Sequence, residues 1–280
     1  QAVALRRRHV RAPRPVPRWK HVRRRDADEN SESPVSRVEL RVLDVSRNSL
    51  TGRVPKELAN CVKLSVLVLI DLFEDRDEDG FRGEFNAFVG NIPHQMLLLL
   101  SLRVLWASRA NLGGRLPRGW SDLCSLRVLN LAQNYVSSVV PESLGICRNL
   151  SFLDLSSNNL VGYLPSLQLR IPFMMYFNVS RINISGTLQR FRKESCGVSA
   201  LDSSFLELDV FNVWWFQKNA LIGTRLEETN SIVVSHDFSW NSFVGSLPLF
   251  SLGDNLFSAN CNVSYTLSLN NNKFNGTLPY

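Results

Sequence analysis

The chain has 280 residues, 44% of them hydrophobic, with a formal net charge of +7; this length can bury a sizeable core. The charge does not belong to that core, because residues 1–36 hold ten Lys/Arg against four acids and leave the remainder nearly neutral. No apolar run outlasts Met96 to Leu100, far short of the ~20 residues a membrane-spanning helix needs. No kinase catalytic-loop motif and no glycine-rich phosphate loop is present.

The first segment, 1–36, is arginine-rich, carries Pro13, Pro15 and Pro17, and has too few apolar residues to fold by burial. It reads as a disordered basic tail. The competing reading is a basic arm for nucleic acid or acidic lipid. Trp19 is its only aromatic residue, whereas single-strand binders interleave stacking rings with cations, so no nucleic-acid partner is expected.

From 37 to 280 one pattern recurs. Its asparagine position falls at 86, 110, 134, 158 and 182, in steps of 24 residues. A fixed period of this size marks a solenoid, and solenoids present extended surfaces suited to binding. The clearest unit is Leu150, Leu153, Leu155, Asn158, Leu160, Gly162, Leu164, Pro165. The alternating leucines predict a half-buried strand. The asparagine can bond the backbone of the following turn. The glycine tolerates a conformation closed to side chains, and the proline starts a return path by a short helical turn.

The same frame fits Leu40 to Pro55, Leu102 to Pro117 with Ala110 in place of asparagine, and Leu126 to Pro141 with Ser138 in place of glycine. A weaker copy runs from Met174 to Leu188 with Ile182 at the asparagine position, and late copies end in Asn241 to Pro248 and Asn272 to Pro279. One early copy is split, opening at Leu64, Leu67, Leu69 and closing at Asn86 to Pro93. These make about eight repeats, none able to bury its leucines alone.

Two inserts interrupt them. Residues 73–85 carry Glu74, Asp75, Asp77, Glu78, Asp79 and Glu84; their spacing is not that of a calcium loop, and a solvated loop is expected. Residues from about 190 to 231 include Phe205, Phe211, Trp214, Trp215 and Phe216, unusually apolar for a loop. This insert is expected to fold back on the solenoid, as a partner platform, as a mini-core of its own, or as both.

The glycine-x-apolar-proline ending resembles the plant extracellular leucine-rich repeat. LSVLVLIDL before the acidic insert, LRVLWASRANLGGRLPRGW, and the insert around VWWFQKNALIGT together resemble the ectodomain of a plant leucine-rich-repeat receptor-like kinase of the Toadstool, or receptor-like protein kinase two, type, over roughly residues 38–280. The resemblance implies a right-handed superhelix with a parallel sheet on its concave side and short 3-10 or loop returns on its convex side. It also implies a plasma-membrane glycoprotein that senses an extracellular peptide in development and pairs with a co-receptor ectodomain, the kinase lying elsewhere. The chain is accordingly expected to be a piece of such an ectodomain, neither end of it capped.

Within the predicted sheet, Arg103, Trp106 and Arg109 share one repeat, Arg127 and Asn130 the next, and Phe152 the one after. With Trp214 and Trp215 of the insert they are the candidate ligand-binding residues. Equivalent positions on neighbouring parallel strands lie ~4.8 Å apart, so Arg103 and Arg127 could grip a peptide carboxylate. Five sequons occur, at Asn149, Asn178, Asn183, Asn262 and Asn275, and Asn178 is expected to point from the concave face. Cys61, Cys124 and Cys147 follow the repeat prolines at similar distances and are expected to be buried free thiols. Cys196 and Cys261 either form a disulfide tying the second insert to the body or remain free.

No zinc spacing and no nucleophile–histidine–carboxylate set can be assembled. His236 occupies a core leucine position and reads as a buried histidine. No catalysis, cofactor or metal is expected. The leading function is the peptide- or co-receptor-binding part of a receptor; the alternatives are a secreted soluble binder or inhibitor and, behind it, a basic-armed nucleic-acid-binding protein.

Overall fold

Each repeat delivers a short strand to one long parallel sheet. A computed structural model describes residues 2–4, 40–45, 48, 50–69, 86–167, 174, 176–188, 231–247 and 262–276. Its nine-stranded sheet runs in order through Ala2–Ala4, Val42–Asp44, Val66–Val68, Val104–Trp106, Val128–Asn130, Phe152–Asp154, Tyr176–Asn178, Ser231–Asp237 and Asn262–Ser268. Val104 pairs with Val128, Val128 with Phe152, and Phe152 with Tyr176, each 24 positions on. The register survives the longer repeats: Val66 pairs with Val104, Tyr176 with Ser235 and Ser235 with Thr266, at separations of 38, 59 and 31 positions. The first two expansions correspond to the expected inserts; the third, between Leu247 and Asn262, was not read from the sequence.

The tail expected to be disordered contributes Ala2–Ala4, which pair with Val42–Asp44 at the sheet's edge. An open edge strand presents unpaired N–H and C=O groups that any extended segment can meet.

The alternating leucines converge on one core. Leu43, Leu67, Leu105, Leu129, Leu153 and Phe177 stack with Val45, Leu69, Ala107, Leu131, Leu155 and Val179, all buried in one cluster. His236 and Phe238 continue the rows into the next repeat, both buried. Leu58, Met96 and Leu144 close the core from behind, on 3-10 segments at Lys56–Asn60, His94–Leu98 and Glu142–Ile146. Each segment directly follows a proline, Pro55, Pro93 or Pro141, whose fixed φ and missing N–H suit a helix start.

A second parallel sheet, absent from the sequence reading, flanks the first. It orders Gly113–Arg115, Tyr135–Ser138, Asn159–Tyr163, Asn183–Gly186, Ser242–Gly245 and Lys273–Phe274, while Thr51–Gly52 pairs with Ala87–Phe88. Four of the six strands contain the repeat glycine, at 114, 162, 186 and 245. At Gly186, φ is +98° and a Cβ would lie 2.6 Å from Tyr163 Cδ1, so both the backbone and the preceding repeat exclude a side chain. Ser138 takes the same place at φ 113° and pairs with Leu160 of the next repeat.

The asparagines join successive repeats. Asn134 accepts hydrogen bonds from the N–H groups of Ala110 and Leu112 in the preceding repeat and donates to the carbonyls of Ala107, Leu131 and Ala132. Asn158, Asn241 and Asn272 likewise accept from Val136, Ile184 and Phe243 and donate to Leu131, Val179 and Phe238 one repeat back. Asn86 does the same across the first insert, accepting from Leu50 and donating to Val45 and Leu69.

The cysteine expectation needs correction. Cys124 and Cys147 form a disulfide, with Cα atoms 5.1 Å apart and a sequence separation of 23. Cys124 lies one place out of the period, and one coil of the stack brings it beside Cys147. Closing a loop of this length is worth about 3 kcal/mol in the chain-entropy account. Cys61 is buried and free, as expected, and burial pushes its thiol up; the carbonyl of Leu58 accepts its N–H just as that of Met96 accepts the N–H of Leu99 in the next repeat. Cys196 and Cys261 lie outside the described residues.

Replacing Asn134 with alanine strands buried backbone groups in two repeats and is expected to cost about 3 kcal/mol. Urea denaturation with unchanged slope and a lowered midpoint is the expected result; an unchanged midpoint would remove the ladder from the stability account.

Candidate functional site

The face of the main sheet opposite the leucine core is the surface a solenoid offers to partners, and it changes character along its length. Val66, Val68, Val104, Trp106, Val128 and Phe152 point away from the core rows by strand alternation, yet all are buried. From Tyr176 onward the equivalent positions open: Tyr176, Asn178, Ser235, Asp237 and Ser268 are half-buried, and Thr266 is exposed. The accessible half is thus the polar half.

Aromatic rings bridge the two halves. Trp106 stacks on Phe152 at 5.5 Å between centroids, and Phe152 on Tyr176 at 4.4 Å. The Trp106 indole N–H donates to Ser108 Oγ. The Tyr176 hydroxyl donates to Asp154 Oδ2 at 3.3 Å, and Asn178 Nδ2 donates to that hydroxyl at 3.1 Å and to Asp154 at 3.4 Å. Burial raises the Asp154 carboxyl despite its hydrogen bonds to Ser156, Tyr176 and Asn178, and burial together with that carboxylate raises the Tyr176 phenol.

The short polar residues of this row also serve the fold. Asn130, Asp154, Asn178 and Asp237 each accept the backbone N–H two residues on, from Ala132, Ser156, Ser180 and Ser239. This is an Asx turn repeated from coil to coil.

The rim beside the sheet is built differently. The residue before each asparagine position, namely Arg109, Gln133, Ser157, Arg181, Trp240 and Asn271, has φ between 51° and 57°. Left-handed backbone is costly for any residue with a Cβ. The cost is met by the ladder, since the N–H groups of Arg109, Gln133, Ser157, Arg181 and Trp240 all donate to a carbonyl of the next repeat. Their side chains project outward, and all but half-buried Ser157 are exposed. Arg109 Nε donates to Gln133 Oε1. Arg181 lies over the Trp240 ring, 5.6 Å from its centroid, with the ring 52% exposed.

The sequence-derived candidates fall into three groups. Trp106, Asn130 and Phe152 are buried and engaged within the fold. Arg103 and Arg127 are half-buried neighbours, the Arg127 N–H donating to the Arg103 carbonyl, and Arg109 is exposed on the rim. Trp214 and Trp215 lie outside the described residues. Arg181, Trp240 and Tyr176 were missed. Their signal was positional, since the residue before the asparagine and the one before the strand's core residue are outward at every repeat.

The comparisons with known proteins agree with this architecture. The profile of the Leucine Rich Repeat family matches residues 39–61, 125–147 and 149–168. The chain is a leucine-rich-repeat solenoid. Receptor-like protein 35 of Arabidopsis thaliana is 32% identical over 227 residues, covering 75% of this chain and 22% of that protein; the solenoid thus spans under a quarter of that relative. Among solved structures, a TDR receptor superposes with a TM-score of 0.57 at 23% identity, covering 86% of this chain and 32% of the other. The plant peptide hormone receptor RGFR1, solved in complex with RGF2, superposes with a TM-score of 0.55 at 23% identity, covering 86% and 30%. No group of three or more His, Cys, Asp or Glu among the described residues could hold a metal ion, and no helix among them is long and apolar enough to cross a membrane.

Burial lowers the His236 imidazole to about 4 from the ordinary 6.5. Its ring lies edge-on to Phe177 and Phe238, and Nδ1 is 3.0 Å from the Ser235 carbonyl. Between those two values the unfolded chain binds more protons, so stability is full above about 6.5 and is lost as pH falls towards 4. Asp154 acts in the opposite sense, because its raised carboxyl favours the folded state at low pH. In an Asp154→Asn background, melting temperatures are expected to fall between pH 7 and pH 4.5, and adding His236→Phe should flatten that slope. A slope unchanged by the histidine substitution would exclude His236 as its source.

Proposed function

We propose that this chain is the sensing part of an extracellular plant receptor, recognising a peptide or a partner ectodomain by shape and carrying out no chemistry itself. The observation that carries this reading is the extent of the similarity to a receptor-like protein, which covers 75% of the chain rather than one repeat. A solenoid of the same fold, the Arabidopsis receptor kinase HAESA, is solved in complex with the peptide hormone IDA and a co-receptor, which supports a ligand of that class. The Toadstool resemblance is the finer form of the same reading, with plasma-membrane location and co-receptor pairing as its consequences. The runner-up is a secreted binder that acts by occupying its target.

Recognition is assigned to the exposed rim, with the open half of the concave face beside it setting the shape. Arg181 and Trp240 offer a cation and an aromatic plane side by side, the residue types that dominate interface energetics. Arg103 and Arg127 supply a second, separate anchor for a carboxylate.

Mass spectrometry of the native product is the direct test of the receptor reading. A chain continuing into a membrane span and bearing glycans is expected. A glycosylated product ending near Tyr280 would favour the secreted binder, and an unglycosylated one keeping its arginine-rich tail would overturn both. Once a peptide or ectodomain ligand is in hand, Arg181→Ala combined with Trp240→Ala is expected to weaken it about tenfold or more. If Arg103→Ala with Arg127→Ala leaves affinity unchanged, the carboxylate clamp is excluded.

A further inference from the structure

The flank sheet carries an apolar patch that neither the core nor the concave face explains. Tyr163 is 74% exposed and Val161 43%, and both lie on the outward face of the Asn159–Tyr163 strand, with Val139 exposed beside them on the preceding repeat. Val161 pairs directly with Asn183, and Tyr163 with Ser185. Asn183 and Ser185 are the first and third residues of the triplet Asn183-Ile184-Ser185. Asn183 is exposed, and its side-chain amide makes no hydrogen bond among the described residues. The Tyr163 ring leans over Gly186, the end of Asn183's own strand.

The neighbouring sequon is the opposite case. Asn178 Nδ2 is committed to Tyr176 and Asp154, and its Oδ1 accepts the Ser180 N–H. A sugar on that nitrogen would take away a donor proton and wedge the Tyr176–Asp154 contact apart. Two triplets five positions apart are thus sorted by the fold into one that is closed and one that is open.

We propose that Asn183 carries an N-linked glycan whose first sugars lie on Val161 and the Tyr163 ring, and that Asn178 is unmodified. In the transfer, Asn183 Nδ2 gives up one proton and bonds the anomeric carbon of an oligosaccharide delivered by a lipid-pyrophosphate donor, the lipid pyrophosphate leaving. The C–H face of a pyranose suits an exposed aromatic ring, and its outer hydroxyls stay in water. The glycan covers the apolar patch and closes this flank to partners, leaving the concave face and rim for recognition. The inference rests on the extracellular reading, since glycan transfer of this kind occurs on secreted chains.

The test is site-resolved mass spectrometry of the full chain secreted from plant cells, with enzymatic glycan release in heavy-oxygen water. Trypsin cuts after Arg181 and so places Asn178 and Asn183 on different peptides. Label on the peptide beginning at Ile182, and none on the peptide containing Asn178, is the expected result. An empty Asn183 with Asn149 or Asn275 occupied overturns this proposal alone, as does an occupied Asn178. No glycan at any sequon overturns it together with the extracellular reading. Stacking is read separately: glycan release should lower the melting temperature of the parent and of Tyr163→Phe, and lower it less in Tyr163→Ala. Equal losses in all three would exclude the ring as the sugar's resting place.

Discussion

The amide of a single asparagine per repeat is the constraint from which the other regularities follow. One coil of the stack ends its strand in a turn whose N–H and C=O groups face the next coil, shut away from water. Only a short side chain that both donates and accepts can serve two turns at once. Aspartate lacks the donor, and glutamine adds a methylene the space does not hold. Because each asparagine reaches one repeat back, the ladder tolerates isolated gaps. Ala110 contributes its carbonyl to the Phe88 N–H and has its own N–H taken by Asn134. Asn86 shows the converse: the residues inserted after Leu69 move the asparagine to a sequence distance of 17 without moving it in the ladder.

The ladder also fixes the conformation of its neighbours. To present the asparagine inward, the residue before it takes left-handed backbone and donates its N–H across to the next coil. That requirement falls on the main chain and is indifferent to the side chain, which explains how arginine, glutamine, serine and tryptophan share one unfavourable φ. The positions most constrained in backbone are therefore the most free in chemistry. A solenoid of this kind can change what it displays on its rim without changing how it stacks.

The same physics decides what could be read from the sequence. Strands, core rows and ladder were legible because each is a one-residue signal at a fixed place in the period. The flank sheet was not, because most of its strands run through the repeat glycine and an isolated glycine reads as a turn. The Cys124–Cys147 bond was missed for a related reason. The cysteines were compared with the proline of their own repeat, whereas the distance that matters is across the stack, where 23 residues amount to one coil. Burial of Trp106 and Phe152 was beyond the pattern, since alternation gives the face a side chain occupies and not whether that face is open.

Polarity on the concave face is thus a poor guide to recognition by itself. Asn130, Asp154, Asn178 and Asp237 look like a ligand-facing row, but each first satisfies a backbone N–H of its own turn. Asp154 goes further, its carboxylate raised by burial and held by a tyrosine, a serine and an asparagine. A partner that contacted this row would compete with the turns that shape it, losing in the protein what it gained in the complex. The rim has no such debt, for its side chains can be withdrawn from their mutual contacts while the main chain keeps every ladder bond. Discrimination between partners is therefore expected to reside in the residues before the asparagines, with the concave row setting the shape against which they act.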